Sequence, residues 1–190
     1  MRMHKIILLV LICILVIAGC SRGNAIGNRL DWEVPDFTFI NQNEEETSLK
    51  DLKGKIWIAD FIFTSCSTVC SPMTANMAQL QSMVEEESLQ VEFVSFSVDP
   101  EVDTPMRLKQ YGENFSTDLS NWSFLTGYSQ AEIEELAYTY FKQGVKKEEN
   151  AQVAHGTYFY LIDQKGKIVR YYKGDKEVPF EEIINHIKQL

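Results

Sequence analysis

Cys66 and Cys70 are the pair in this sequence best suited to chemistry, and His155 is the candidate third member of their site. The chain has four cysteines, and two of them, Cys13 and Cys20, fall in its first 20 residues. Only Cys66 and Cys70 remain for the folded part. A bridge between them closes a very short loop, and loop-closure stabilisation grows with loop length, so such a bridge adds little stability. In an oxidising compartment, a pair placed this way points to chemistry rather than stapling. Two sulfurs at this spacing can exchange with a partner's disulfide, or they can grip a soft metal such as Cu(I).

The elements that must position the pair are legible on either side of it. Ile56–Phe63 is almost wholly apolar, as a central strand covered on both faces requires. Beyond it, Met73, Met77, Leu80 and Val84 fall at helical spacing, so a helix is expected to start near Cys70 with Pro72 in its first turn. One cysteine then lies in the strand-to-helix loop and the other at the helix N-terminus. Residues four apart on a helix have Cβ atoms ~5–6 Å apart, and a disulfide needs ~3.5–4.5 Å. Modest bending of the loop therefore admits both bridged and open forms. Unpaired N–H groups and the helix dipole favour a thiolate there. Without that placement, two cysteines four apart are equally well read as inert core residues.

Asp60, six residues before Cys66, resembles in spacing the buried aspartate of thioredoxins, which implies a carboxylate that helps move protons at the thiols; the alternative is a hydrogen-bonded polar residue in a strand. Of three histidines, His4 is N-terminal and His186 sits among Glu182, Asn185 and Lys188, as a solvated surface position would. His155 directly precedes Gly156 and the expected strand Thr157–Ile162, whose start in a thioredoxin-like fold lies beside the cysteine loop. Two sulfurs and one imidazole suit copper, Cu(I) in a trigonal site and Cu(II) with an added oxygen ligand or water. A structural zinc site takes four protein ligands, and no fourth presents itself. Met73, Met77 and Met83, with Leu80, have the spacing of a packed helix face rather than of thioether ligands.

The N-terminus bounds the compartment. Arg2, His4 and Lys5 precede an apolar run, Ile6–Ala18, which is short for a membrane span and right for an export signal. Ala18-Gly19-Cys20 resembles a bacterial lipoprotein box, which implies a signal peptide over 1–19 and a diacylated Cys20. The alternative is an uncleaved anchor with Cys20 incidental. Two acyl chains anchor stably where one is marginal. A tether over 20–31 and one domain over 32–190 are expected to follow, on the outer face of the cell membrane. Without residues 1–19 the chain carries 16 basic and 27 acidic residues, a net charge of −11. That excludes nucleic acid as a partner, since phosphates demand Lys and Arg, and disfavours electrostatic adhesion to anionic lipid.

Further elements are expected as an opening β-hairpin over 36–47, a strand at Val91–Val98, a helix over Thr104–Asn114, and a short strand at Trp122–Leu125. A helix over Ser129–Tyr140 capped by Ser129, a polar loop over Gly144–Ala154, a hairpin from Thr157 to Tyr172 and a helix over Phe180–Gln189 complete the series. This order gives an α/β fold, thioredoxin-like, with a mixed central sheet flanked by helices, an N-terminal hairpin and an insertion.

Three separated motifs carry a closer likeness. They are Phe63-Thr64-Ser65-Cys66 with Cys70, Pro72, Met73 and Thr74; Ser97-Val98-Asp99-Pro100-Glu101 with Asp103, Thr104 and Pro105; and Leu125-Thr126-Gly127 followed by Val153-Ala154-His155. Over roughly 32–190 the chain resembles the Sco/SenC family, extracytoplasmic proteins needed to assemble cytochrome c oxidase. The resemblance implies a copper site at Cys66, Cys70 and His155, with Asp99 near the metal to orient the histidine; a turn residue before Pro100 is the alternative for Asp99. Many relatives have proline after each cysteine, where Ser67 and Ser71 stand here. Two functions follow from the resemblance. One is a metallochaperone delivering copper to the copper A site of oxidase subunit II. The other is a thiol–disulfide oxidoreductase that reduces that site's cysteines, served by a thiol reductant. A peroxidase is disfavoured, because no proline-and-threonine-rich run stands before a single peroxidatic cysteine.

Overall fold

The computed structural model describes residues 26–65, 70–147 and 153–190, with only the backbone of Cys70. Its main sheet has six strands in the order β1-β10-β9-β4-β5-β6. These are β1 (Trp32–Glu33), β4 (Ile56–Ile62), β5 (Val91–Ser97), β6 (Trp122–Leu125), β9 (Tyr158–Ile162) and β10 (Lys167–Lys173). β4, β5 and β6 run parallel, joined by the helices α2 (Cys70–Glu86) and α3 (Pro105–Glu113). β9 pairs antiparallel with β4, and β10 with β9, so the sheet is mixed as expected. The N-terminal hairpin is β2 (Thr38–Ile40) with β3 (Glu46–Ser48), followed by a one-turn helix α1 (Leu49–Leu52). Asn41 closes its turn, its side-chain oxygen accepting from the N–H groups of Asn43 and Glu45.

The alternation of β4 divides the core. Trp57, Ala59 and Phe61 face one layer with Phe96, Tyr160 and Phe141, the last following α4 (Gln130–Tyr140). Phe61 stacks on Phe96 at 5.4 Å and meets the Phe141 ring edge-on at 5.1 Å. Ile58 and Ile62 face the other layer, packed under Met73, Met77, Leu80 and Val84 of α2 and under Ile183, Ile184 and Ile187 of α5 (Phe180–Ile187). The methionine spacing is thus that of a buried helix face, with Met73 and Met77 fully enclosed. Ser129 caps α4, accepting from the Glu132 N–H while Glu132 returns to the Ser129 N–H.

Beyond β1 and α1, which the sequence reading did not foresee, the structure departs from it at three places. The segment expected as a loop over 144–154 carries β7 (Val145–Lys146) and β8 (Ala154–His155), which pair antiparallel and bring Val145 opposite His155. Polar composition hid it, because a two-residue strand has no periodicity to read. The last residues of the expected tether lie on the domain: Ile26 is buried, the Leu30 N–H donates to Val169, and Arg29 pairs with Asp163. His186 is half-buried rather than solvated, stacked on Tyr172 with Nδ1 2.8 Å from its hydroxyl. The expected signal peptide and Cys20 lie outside the described residues, and among the described residues no helix is long and apolar enough to cross a membrane.

Candidate metal centre

Topology brings the candidate ligands to one edge of the sheet. The cysteine loop leaves the C-terminal end of β4, where sites of open α/β sheets form. β9 runs antiparallel to β4, with Ala59 opposite Tyr160 and Trp57 opposite Ile162. Its start therefore lies beside the end of β4, and His155 stands just before that start. The ring of His155 meets Phe63 edge-on at 5.6 Å, and Phe63 is three residues before Cys66. Cys70 opens α2 on the other side of the same loop. Cys66 and Ser67 lie outside the described residues, as does the side chain of Cys70. Among the described residues no group of three or more His, Cys, Asp or Glu is placed to hold a metal ion.

His155 is held as a neutral imidazole. Its Nδ1 lies 2.9 Å from the Gly156 carbonyl, which can only accept, so the ring proton sits on Nδ1 and the lone pair on Nε2. Burial pushes the imidazole below its ordinary value, which keeps it uncharged. Gly156 allows the close approach: a Cβ there would lie 2.9 Å from Oε1 of Gln143 and 3.0 Å from the Tyr158 ring. Gln143 in turn accepts from the Tyr160 hydroxyl, fixing the segment behind the histidine.

Asp99, expected beside the histidine, is buried and paired with Lys147, Oδ1 to Nζ 2.7 Å. The same ammonium reaches Glu101 at 2.8 Å, and both carboxylates raise the lysine above its ordinary value. Lys147 follows β7, whose partner β8 carries His155. The aspartate is thereby tied to the histidine's own hairpin through a lysine that sequence reading passed over. One of two adjacent lysines in a polar segment, it gave no signal.

A second unforeseen group holds the entrance to the cysteine loop. Asp103 is fully buried, and burial raises its carboxyl above the ordinary range. It accepts from Ser97 Oγ at 2.6 Å, from the Thr64 hydroxyl at 2.5 Å and from the Thr64 N–H at 3.2 Å. The sequence did place Asp103 in a motif, but only the fold brings it to Thr64.

Asp60 is fully buried in β4 on the face of Ile58 and Ile62, and neither carboxylate oxygen has a partner in hydrogen-bonding geometry. Burial raises the carboxyl to about 7, outweighing Ser95, opposite it on β5, which acts to lower it. A buried polar group without partners is costly.

Residues 28–190 match the family model described as SCO1/SenC. A SCO1/SenC family lipoprotein from Bacillus anthracis superposes with a TM-score of 0.86 at 52% identity, over 87% of this chain and 99% of its own. BsSco, a member of the Sco family of cytochrome c oxidase assembly proteins in which a disulfide switch was identified, gives 0.80 at 48% identity, over 86% and 95%. ScoI of Arabidopsis thaliana with copper bound gives 0.69 at 27% identity, over 82% and 96%. With most of its length matched by the family model, and with the thioredoxin-like fold of these structures, the chain belongs to the SCO1/SenC family.

Proposed function

We propose that the chain is a copper chaperone held on the outer face of the cell membrane by lipid on Cys20, serving assembly of the copper A centre on subunit II of cytochrome c oxidase. Cys66, Cys70 and His155 are the proposed ligands. The contact of His155 with Phe63 carries the reading, because it sets a neutral imidazole against the strand end that leads into the cysteine loop. Two thiolates and one imidazole form a soft donor set that Cu(I) accepts with three ligands, and a trigonal site leaves room for the recipient's sulfur during transfer. The copper held by a relative from Arabidopsis supports the same reading. An anaerobic titration of the reduced full chain with Cu(I), against a chelator of known affinity, tests it. One tightly bound copper per chain is expected, lost when Cys66 and Cys70 are both changed to Ser. Equal binding by that variant would overturn the reading.

Lys147 supports the histidine arm through Asp99 and Glu101. Lys147→Ala is expected to weaken copper binding about tenfold, the lower end of what groups orienting a ligand contribute. The same competition titration measures it, and no change would place the lysine outside the site.

A second reading is favoured by Asp60. An unpaired carboxyl poised near neutrality, on the strand that delivers the cysteines, suits proton movement during thiol–disulfide exchange. The disulfide switch found in BsSco points the same way. In that role the pair reduces the subunit II cysteines and is itself re-reduced by a thiol partner.

A further inference from the structure

We propose that Arg107, on α3, is a positioning residue of the cysteine loop, setting the segment before Cys66 and placing a positive charge beside it. The inference rests on reading Cys66 and Cys70 as a working pair. Nothing in the sequence marks Arg107. It is one of the exposed residues of α3, four residues beyond the Asp99–Asp103 motif, and an exposed arginine ordinarily means solubility.

The geometry gives it a different place. Its Nε donates to the Thr64 hydroxyl at 2.7 Å and its Nη2 donates to the Ser65 hydroxyl at 3.0 Å. The Thr64 hydroxyl has one proton, and that proton goes to Asp103 at 2.5 Å. The direction of the chain is therefore fixed, from guanidinium to Thr64 to the buried carboxylate, with Ser97 donating to Asp103 from behind. Thr64 is held from both sides. Ser65, which accepts from the arginine, is the residue directly before Cys66. The guanidinium thus extends one residue closer to the cysteine than Asp103 does.

The arginine is itself fixed. Thr104 caps α3, its hydroxyl accepting from the Arg107 N–H at 3.3 Å, and Pro105 occupies the first turn. Leu108, the next residue, is fully buried and anchors that turn of helix to the core. A forked side chain on a rigid helix, with two loop hydroxyls at its donors, sets the loop and keeps a positive charge against it.

The consequence falls on exchange chemistry. When the thiolate of glutathione attacks one sulfur of a Cys66–Cys70 bridge, a new S–S bond forms and the internal one breaks. The other sulfur leaves with the electron pair and takes up a proton. A second glutathione thiolate then attacks the mixed disulfide, releasing the second protein thiol and glutathione disulfide. Negative charge gathers on sulfur in both steps, and a positive charge fixed on Ser65, the residue before Cys66, favours both.

The test is stopped-flow reduction of the oxidised full chain, in detergent, by glutathione at pH 7. Arg107→Gln is expected to slow bridge reduction about tenfold, with the salt dependence of the rate reduced, while Arg107→Lys stays within about threefold of the parent. The thermal midpoints of all three proteins should coincide, since the side chain is exposed. A rate in the Gln variant within twofold of the parent overturns the proposal. A Gln variant slowed only together with a lowered midpoint overturns it too, because the role is then structural. If the parent forms no bridge at all, the reading of the cysteines as a pair fails first and the proposal falls with it.

Discussion

Changing His155 to alanine is expected to cost copper affinity about a hundredfold or more and to abolish delivery to the oxidase, while leaving bridge formation by Cys66 and Cys70 intact. The reasoning starts from the ligand count. Without the imidazole, two thiolates can still hold Cu(I) in a two-coordinate arrangement, but Cu(II), which needs nitrogen or oxygen donors beside sulfur, loses its anchor. The effect on Cu(II) should therefore exceed the effect on Cu(I). The fold should tolerate the change. His155 is half-buried, its strand is held by backbone pairing with Val145, and its Nδ1 lies against the carbonyl of the adjacent residue. Loss of function is then attributable to the donor rather than to unfolding. The readouts are competition titrations with each copper state, and oxidase activity with subunit II copper content in cells that depend on this chain. Oxidase assembly at the parent level in the His155→Ala strain would sink the chaperone reading and leave the reductase one, since thiol exchange needs no histidine.

Two kinds of residue in this chain were read with different success, and the physical reason is plain. β4 and α2 were legible because burial imposes a pattern. A strand covered on both faces must be apolar throughout, and Met73, Met77, Leu80 and Val84 must recur on one helix face. Ser129 was legible as a cap because its partner Glu132 sits three residues on. The candidate ligands were legible because thiol and imidazole are rare in this chain. What stayed hidden are the contacts that hold them. Lys147 and Arg107 are ordinary surface cations in sequence, and nothing local says that one reaches Asp99 across 48 positions and the other Thr64 across 43. The same holds for the β7–β8 pair, whose strands are too short to show a period. Residues that act by themselves announce their chemistry; residues that act by aiming others do so only once the chain is folded.

Asp60 supplies the largest expected effect on stability, and its sign runs opposite to that of most carboxylates. A paired aspartate has a lowered value in the folded state and stabilises a protein above it. Here burial without a partner raises the carboxyl from 3.8 to about 7. The folded state therefore favours the protonated form. That contribution is complete below 3.8 and is lost as pH rises through about 7, because the unfolded chain ionises freely where the folded one cannot. The rise corresponds to an upper bound of about 4 kcal/mol, most of it appearing between pH 4 and pH 7. Asp60→Asn removes the titration and keeps the shape. Relative to the parent, the variant should gain about 2–3 kcal/mol of stability between pH 5 and pH 8, read from urea midpoints with the thiols kept reduced. A stability difference that does not change with pH would mean that Asp60 is already satisfied in solution. The same variant decides what the carboxyl is for. If Asp60→Asn is more stable at pH 8 yet reduces glutathione disulfide more slowly, the strand carries a destabilising group because the cysteines use its proton. If exchange is unchanged, Asp60 serves neither the fold at neutral pH nor the thiols, and the copper-only reading gains.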